Sequence, residues 1–175
     1  MIEERLKDAI RDVADFPKPG IMFKDITPIL TDNTLCDDIV EETIKRLQGT
    51  KIDAIAGIES RGFLFGFLIA QKLRVPFIPV RKAGKLPYDT IAYTYNLEYG
   101  TATIEVHTDA IKAGDNVLIH DDLLATGGTA IAAAELVKQL GGNVAGYSFI
   151  VELEFLNGRD SLVQYSDNVV SLVGF

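Results

Sequence analysis

The fold class is indicated most directly by the run Val117-Leu118-Ile119-His120-Asp121-Asp122-Leu123-Leu124-Ala125-Thr126-Gly127-Gly128-Thr129. An apolar strand pattern leads into two acids and then into a glycine loop, and a helix is predicted over residues 130–140. In an open α/β sheet, ligands bind where the strands end, so the loop after this strand lies in the ligand position. Gly127 and Gly128 allow a close backbone approach, and the free N–H groups at the start of a helix suit a phosphate.

The two acids define a second half of the same site. Asp121 and Asp122 repel a phosphate, but they can accept hydrogen bonds from sugar hydroxyls or contact a metal-bound water. Phosphate and polyol in adjacent positions indicate a sugar phosphate. A glycine-threonine turn alone would fit a strand that simply ends in two solvated acids, and the full thirteen-residue pattern favours the ligand site.

Strand and helix patterns alternate along the rest of the chain. Buried strands are predicted at 52–58, 75–80, 116–120, 144–153 and 168–173, and helices at 3–14, 35–48, 63–73 and 130–140. Residues 101–107 alternate as a half-exposed strand, with Glu105 and His107 on the polar side. The alternation predicts an α/β fold with a central, mostly parallel sheet flanked by helices. No break in composition divides it, so we expect a single domain over 1–175.

Two segments do not fit this alternation. The prolines and glycine of residues 15–20 interrupt regular structure within an N-terminal segment, 1–34. Residues 83–100 begin with basic and small residues and continue with polar and aromatic ones. This composition predicts a flexible hairpin or flap.

The charge balance limits the classes of partner. The chain has 17 basic and 25 acidic residues, a net charge of −8, which makes it a poor general binder of nucleic acid or of an anionic membrane. No apolar run reaches the ~20 residues that span a bilayer, and the N-terminus carries acids where a signal peptide has a basic flank. One cysteine, Cys36, forms no internal disulfide. We therefore expect a cytoplasmic protein, with Cys36 as a packing residue.

Several common catalytic motifs are absent from the sequence. It contains no GxxxxGK[ST], GxGxxG, HExxH or GxSxG, which argues against P-loop enzymes, Rossmann dehydrogenases, zinc proteases and ordinary serine hydrolases. A hydrolase built on Ser60 and His120 would need these residues to meet from different strand ends, and nothing local supports it. His120 is expected to be a neutral core residue with one ring nitrogen bonded to a neighbour, and His107 a surface residue.

The stretch at 117–129 resembles the phosphoribosyl pyrophosphate (PRPP) motif of the type I phosphoribosyltransferases, in the form typical of the adenine-specific branch of that family. Three further blocks resemble the same branch. They are the N-terminal base-binding segment (residues 15–26), the pyrophosphate loop (Ser60-Arg61-Gly62-Phe63) and the catalytic flap (Arg81-Lys82 to Gly100). The blocks occur in order over most of the chain. The resemblance implies the type I phosphoribosyltransferase fold and a homodimer.

The activity implied is transfer of the phosphoribosyl group from PRPP to adenine, giving AMP and pyrophosphate, with Mg²⁺ carried by PRPP rather than bound directly by the protein. The resemblance assigns the 5′-phosphate to Ala125, Thr126, Gly127, Gly128 and Thr129, and the ribose hydroxyls to Asp121 and Asp122. It assigns pyrophosphate to Ser60, Arg61, Arg81, Lys82 and Lys85. It assigns adenine to Met22, Phe23, Lys24 and Leu123. Glu98, with Arg61 and Lys85, is the implied catalytic set, and Glu98 is the candidate for the purine proton.

The sequence departs from the family pattern at two positions and leaves two alternative functions open. Glu59 stands where many relatives carry Asp, and Lys24 stands where Arg is frequent and cannot make a planar bidentate contact. One alternative is a phosphoribosyltransferase for another purine, with xanthine the nearest rival. The other is a PRPP-sensing regulator without activity, although the sequence shows no basic stripe for nucleic acid.

Overall fold

Nine strands and five α-helices alternate within residues 1–97 and 100–175, the part of the chain that the computed structural model describes. The strands are β1 (Arg11–Ala14), β2 (Met22–Asp25), β3 (Ala54–Ile58), β4 (Phe77–Lys82), β5 (Thr90–Asn96), β6 (Thr101–His107), β7 (Asn116–Leu124), β8 (Asn143–Glu152) and β9 (Val169–Gly174). The helices are α1 (Ile2–Ala9), α2 (Asn33–Arg46), α3 (Gly62–Leu73), α4 (Gly128–Gln139) and α5 (Gly158–Leu162). Short 3-10 helices lie at Thr27–Thr31 and Glu154–Leu156.

A seven-stranded sheet forms the centre of the molecule, in the order β5-β6-β4-β3-β7-β8-β9. Five strands, β4, β3, β7, β8 and β9, run parallel to one another. β5 and β6 lie beyond β4 and add an antiparallel hairpin. The mostly parallel α/β sheet predicted from the sequence is confirmed. Its parallel strands bring the carboxyl ends of β3, β4 and β7 to one edge, where the predicted site residues follow them.

The core has two layers, one on each face of the sheet. Ala56 and Ile119 belong to a cluster that includes α4, while their chain neighbours Ile55 and Leu118 belong to a cluster that includes α1, α2 and α3. Side chains alternate between the faces of a strand, so the near-continuous apolar sequence of β3 and β7 fills both layers. Both strands are therefore held firmly, and the residues after them start from fixed positions.

The N-terminal helix is shorter than predicted. α1 ends at Ala9 rather than at residue 14, because Arg11–Ala14 pairs with β2 as an antiparallel ribbon. Val13, whose spacing from Leu6 and Ile10 predicts one helical face, lies opposite Phe23 in this ribbon. A long-range pairing that is not visible in the local spacing thus overrides the helical pattern.

The hairpin at the sheet edge differs from its prediction in two ways. Residues 83–100 are predicted as a hairpin or flap with no strand placed within it, whereas Thr90–Asn96 forms a strand that pairs along its whole length with β6. Glu105, assigned to the solvent face of β6, is only 5% exposed. His107, assigned to the surface, is half-buried with its ring edge-on to Tyr88 at 6.1 Å between centroids. The mobility expected of residues 83–100 stays a prediction.

β7 is longer than its apolar run. It continues through Asp121 and Asp122 to Leu124, paired with β8, so both acids lie on the strand and not in the loop after it.

Among the residues that the structure describes, no helix is long and apolar enough to cross a bilayer.

Candidate active site

The glycine loop between β7 and α4 has the geometry expected of a phosphate cradle. Residues 125–127 form the turn, and Gly127 precedes α4 with a φ of +89°, which favours glycine. The backbone N–H groups of the first turn of α4 therefore open toward this loop. Ala125, Thr126, Gly127, Gly128 and Thr129 all line one small cleft with Asp121.

A short helix that the sequence did not identify supports this loop from behind. Ser161 of α5 donates hydrogen bonds to the Thr126 carbonyl at 3.2 Å and to the Gly158 carbonyl at 2.7 Å. A Cβ placed on Gly158 would stand 2.1 Å from the carbonyl oxygen of Ala125. The absence of a side chain at Gly158 thus lets α5 approach the loop closely and hold its backbone in place.

Arg61 connects the two acids to the N-terminal ribbon. Its Nε donates to Asp122 Oδ2 at 2.5 Å, and its Cζ lies 5.1 Å from the centroid of the Phe23 ring. Asp122 is 5% exposed. This arrangement brings a predicted pyrophosphate residue, a predicted ribose residue and a predicted base residue into one contact chain.

Asp121 has an unusual electrostatic environment. Burial raises the pKa of its carboxyl well above the ordinary value, and the neighbouring charge of Asp122 adds to the effect. Asp121 Oδ1 accepts the backbone N–H of Asp122 at 2.8 Å. A Cβ on Gly62 would stand 3.0 Å from the same oxygen. The start of α3 thus packs tightly against the acids because Gly62 has no side chain.

The predicted base-binding residues lie around this chain of contacts. Phe23 meets Phe16 edge-on at 5.0 Å between centroids, and Met22 is 52% exposed. The ammonium of Lys24 is bound by Asp12 at 2.6 Å and lies 3.8 Å from the centroid of the Phe175 ring. The side chain of Lys24 is therefore committed to these contacts, which leaves its backbone for any contact with a base. Leu123 follows Asp122 and is partly buried against the α3 side of the core.

Three of the predicted pyrophosphate residues contact one carboxylate, two through their side chains and one through its backbone. Glu59 accepts hydrogen bonds from Arg81 Nε at 3.2 Å, from the Lys82 backbone N–H at 3.0 Å and from Lys85 Nζ. Burial favours a raised pKa for Glu59, but the bonds from Lys85, Lys82 and Arg81 outweigh it, and the pKa is lowered. Glu59 thus remains ionised and holds the three residues together. Its peptide bond to Ser60 is cis, and Ser60 leads through Arg61 into α3.

A second carboxylate, Glu105, fixes the backbone that carries Lys85. Its Oε1 accepts the N–H groups of Lys85 at 3.1 Å and Leu86 at 3.0 Å, and Oε2 accepts from Thr90 Oγ1 at 3.5 Å. These bonds explain why Glu105 is buried although the alternation of β6 places it on the polar face. Sequence reasoning missed this residue, because partners 15 to 20 positions away leave no local signal.

A cavity of about 490 Å³ lies beneath the β5–β6 hairpin. Glu59, Lys82, Tyr95, Asp121 and Thr129 all contribute to its wall. The cavity therefore borders on Glu59 and Lys82 on one side and on Asp121 and the start of α4 on the other. Glu98, the predicted proton-handling residue, lies outside the residues that the structure describes.

His120 matches its predicted structural role. It is 1% exposed, and its Nδ1 lies 2.8 Å from Ser148 Oγ. Its Nε2 is buried with no hydrogen-bond partner in the described part of the chain, so a protonated ring would leave one N–H unsatisfied. Burial lowers the pKa of His120 to about 4. Cys36 is likewise a packing residue, with its Sγ 3.4 Å from the Ile29 carbonyl, and burial raises the pKa of its thiol.

The low pKa of His120 makes stability depend on pH. The unfolded chain binds a proton near pH 6.5, whereas the folded chain resists protonation down to about pH 4. The stabilising contribution is therefore present above pH 6.5 and falls by about 2 kcal/mol between pH 7 and pH 5. We expect His120→Asn to remove that difference, measured by urea unfolding at both pH values. A variant with the parent's pH dependence would contradict the prediction.

The structure describes no group of three or more His, Cys, Asp or Glu side chains able to hold a metal ion within residues 1–97 and 100–175. The acids closest to the cavity are already engaged, Asp122 by Arg61 and Asp121 by a backbone N–H. Carboxylates in such positions suit contact with the water shell of a Mg²⁺ ion that a ligand brings.

Comparison with known proteins places this geometry in a family. Residues 27–153 match the family model described as the phosphoribosyl transferase domain. The chain belongs to the phosphoribosyltransferase family. That match covers β3, β4, β7 and the loops that follow them. The family and the fold class expected from the sequence are thereby confirmed.

Individual phosphoribosyltransferases resemble the chain over nearly its full length. A protein of Agathobacter rectalis named adenine phosphoribosyltransferase is 55% identical over 97% of this chain and 98% of its own. The crystal structure of adenine phosphoribosyltransferase from Thermoanaerobacter pseudethanolicus has 51% identity and a TM-score of 0.96, with complete coverage of both chains. The Saccharomyces cerevisiae enzyme, solved with an imino-altritol bisphosphate and adenine, has 44% identity and a TM-score of 0.90, with 98% of each chain covered.

Proposed function

We infer that the protein transfers the 5-phosphoribosyl group of PRPP to adenine and releases AMP and pyrophosphate, a reaction of purine salvage. Relatives that bear the adenine phosphoribosyltransferase name match nearly the whole chain at 51–55% identity. The observation in the structure that carries the inference is the contact chain Asp122–Arg61–Phe23. It joins a sugar-binding strand end to an aromatic residue on the N-terminal ribbon.

The phosphate loop and the acids are proposed to hold the ribose 5-phosphate part of PRPP. The N–H groups of residues 125–129 would meet the 5′-phosphate, since the start of a helix favours an anion. Asp121 and Asp122 would accept the ribose hydroxyls. Asp122 would then exchange part of its bond to Arg61 for a bond to the sugar, which leaves Arg61 closer to the leaving group.

The cation cluster is proposed to bind the pyrophosphate. As pyrophosphate leaves, positive charge develops on the sugar ring and negative charge on the departing oxygens. Arg61, Arg81, Lys82 and Lys85, with Ser60 at the loop, provide donors for those oxygens. Glu59 holds the side chains of Arg81 and Lys85 and the backbone of Lys82 close together, so little reorganisation is needed when the anion arrives. Mg²⁺ carried by PRPP would neutralise part of the same charge, and Asp121 and Asp122 would contact its water shell.

Adenine is proposed to bind between Phe23 and Leu123, with Met22 and Lys24 beside it. A flat purine gains most from aromatic and aliphatic faces, which Phe23 and Leu123 supply. Lys24 would contribute through its backbone, because Asp12 and Phe175 engage its ammonium.

Glu98 is proposed to handle the proton on the purine ring. It stands between Leu97 and Gly100, which are joined by a backbone hydrogen bond of 2.9 Å at the end of the β5–β6 hairpin. We expect Glu98→Gln to lower kcat roughly 10- to 100-fold while the KM for adenine changes little, because proton transfer acts in the transition state. Steady-state kinetics with varied adenine measure both. An unchanged kcat would remove Glu98 from this role.

A base-competition assay tests the proposed function directly. The protein is mixed with PRPP and Mg²⁺ and offered adenine, hypoxanthine, guanine and xanthine together, and the nucleotides formed are identified. AMP as the dominant product is the expected result. A different monophosphate would retain the reaction but contradict the assignment of the base pocket. No product, with PRPP still bound, would favour a PRPP sensor.

The protein is also proposed to act as a homodimer in the cytoplasm, without nucleic-acid or membrane partners. Leu64, Phe67 and Leu68 form a stripe at helical spacing on α3, with exposed fractions of 42%, 51% and 44%. Exposed apolar patches of this kind are typical of protein interfaces. The net charge of −8 disfavours nucleic acid and anionic membranes, and Cys36 is a free thiol as expected in a reducing compartment. Sedimentation at micromolar concentration should give twice the chain mass, and a monomer there would contradict the dimer.

A further inference from the structure

Tyr95 links the β5–β6 hairpin to the phosphate loop. Its hydroxyl lies 2.9 Å from Thr129 Oγ1, at hydrogen-bond distance. A Cβ on Gly128 would stand 3.7 Å from Cδ2 of the Tyr95 ring, so the ring lies over the first residue of α4. The Tyr95 side chain thus covers the start of α4 and contacts Thr129, the second residue of that helix.

The other polar contacts of the hairpin described above lie on the β4 side, where Glu105 accepts the N–H groups of Lys85 and Leu86. β5 pairs only with β6 in the described part of the chain, and β6 pairs with β4 through two residue pairs, Arg81–Glu105 and Lys82–Ile104. Ile91 and Tyr93 pack against the core cluster from the same strand as Tyr95. The Tyr95–Thr129 bond therefore adds a directional contact to α4 on the strand whose Ile91 and Tyr93 contribute apolar packing.

We propose that Tyr95 is a positioning residue that couples occupancy of the phosphate loop to the placement of the β5–β6 hairpin. The proposal rests on the proposed function for the identity of the ligand, a phosphorylated ribose. In the sequence, Glu98 follows Tyr95 by three residues and belongs to the segment that joins β5 to β6.

The chemistry of two hydroxyls gives the coupling its direction. A threonine hydroxyl has one proton to donate and two lone pairs that accept. When Thr129 donates that proton to a phosphate oxygen, Tyr95 becomes the donor to Thr129 Oγ1. The hydrogen bonds from tyrosine to threonine and from threonine to phosphate then run in the same donor-to-acceptor direction. Consecutive hydrogen bonds of this kind strengthen one another. Phosphate binding therefore strengthens the bond that holds the hairpin.

The test compares Tyr95→Phe with Tyr93→Phe as the matched control. Tyr93 lies two residues earlier on the same strand and packs against the same core cluster, so the control removes an equivalent hydroxyl. Ribose 5-phosphate is the probe, because it requires only the phosphate loop and the acids. Hydrogen exchange is followed in peptides covering residues 90–107, with and without the probe, and dissociation constants are measured by calorimetry.

We expect ribose 5-phosphate to slow exchange in the hairpin of the parent and of Tyr93→Phe. In Tyr95→Phe the probe should bind about 3- to 10-fold more weakly, and at saturation the added hairpin protection should be lost. Equal protection in all three proteins, loss of protection in both variants alike, or failure of the parent to bind the probe would each overturn the proposal. Base transfer is not required in this experiment, so its outcome is separate from that of the competition assay.

Discussion

Replacement of Asp122 by asparagine is expected to lower kcat/KM for PRPP by roughly a hundredfold. The residue is 5% exposed, and its carboxylate is bound to Arg61. Asparagine keeps the size of the side chain but removes the charge that orients Arg61 and the charged acceptor proposed for a ribose hydroxyl. Steady-state kinetics with varied PRPP measure the effect.

Asp115→Asn is the matched control for this change. Asp115 precedes β7 at the opposite end from Asp122 and caps the Lys112 N–H at 3.0 Å. It should therefore retain the parent's kinetics. Near-normal saturation by PRPP in Asp122→Asn would remove Asp122 from the ribose site.

The pH profile of Asp122→Asn carries a second expectation. Burial and the charge of Asp122 both raise the pKa of Asp121, so loss of that charge lowers it toward the ordinary value. Asp121 then stays ionised at lower pH, and the acid limb of the kcat/KM profile should move to lower pH. An acid limb that does not move would show that Asp121 does not control it.

Gly158→Ala is expected to weaken PRPP binding although Gly158 lies outside every predicted site segment. The new Cβ would stand 2.1 Å from the Ala125 carbonyl oxygen and 3.1 Å from Leu124 Cδ1. The loop or α5 must move, and we expect at least a tenfold increase in the KM for PRPP with a loss of about 1–3 kcal/mol of stability. Kinetics and urea unfolding measure the two effects.

Gly49→Ala separates the steric effect from the general cost of replacing a glycine. Gly49 has a φ of +89°, and no atom of the described residues lies within 4 Å of the point that a Cβ would occupy there. Alanine at this position should cost about 1–2 kcal/mol of stability through backbone strain alone, with no change in the KM for PRPP. If Gly158→Ala kept the parent's KM, α5 would not position the loop.

Local patterns of apolar residues in the sequence predicted much of the fold. β3 is apolar throughout, and β7 and β8 each contain an apolar run, because both faces of their sheet are covered; this signal does not depend on distant residues. α2, α3 and α4 lie within a few residues of their predicted positions. β1 and β5 were missed because a strand with a polar or aromatic pattern is recognised only through its partner. Pairing supplies the missing hydrogen bonds and outweighs local preference.

The candidate site likewise combines residues that a local motif identifies with residues that only distant contacts identify. The glycine loop after β7 could be located because Asp121 to Thr129 are consecutive and form one recognisable motif. Glu59, Glu105 and Tyr95 could not be assigned, since the groups they bind lie 15 to 34 residues away in the chain. In the sequence, Glu59 is notable only because many members of the family carry Asp there. The structure shows that it accepts hydrogen bonds from Arg81, Lys82 and Lys85.

The sequence by itself determined the mostly parallel α/β sheet, the loop at the end of β7 and the residue types available for a phosphorylated sugar. These features follow from periodicity and from short motifs, whose physical causes act between neighbours in the chain. Only the tertiary structure decided which charges are paired, that Glu105 and Asp122 are buried, and that α5 and Tyr95 brace the phosphate loop. Those properties depend on the exclusion of water and on contacts between distant segments, which exist only once the layers have packed.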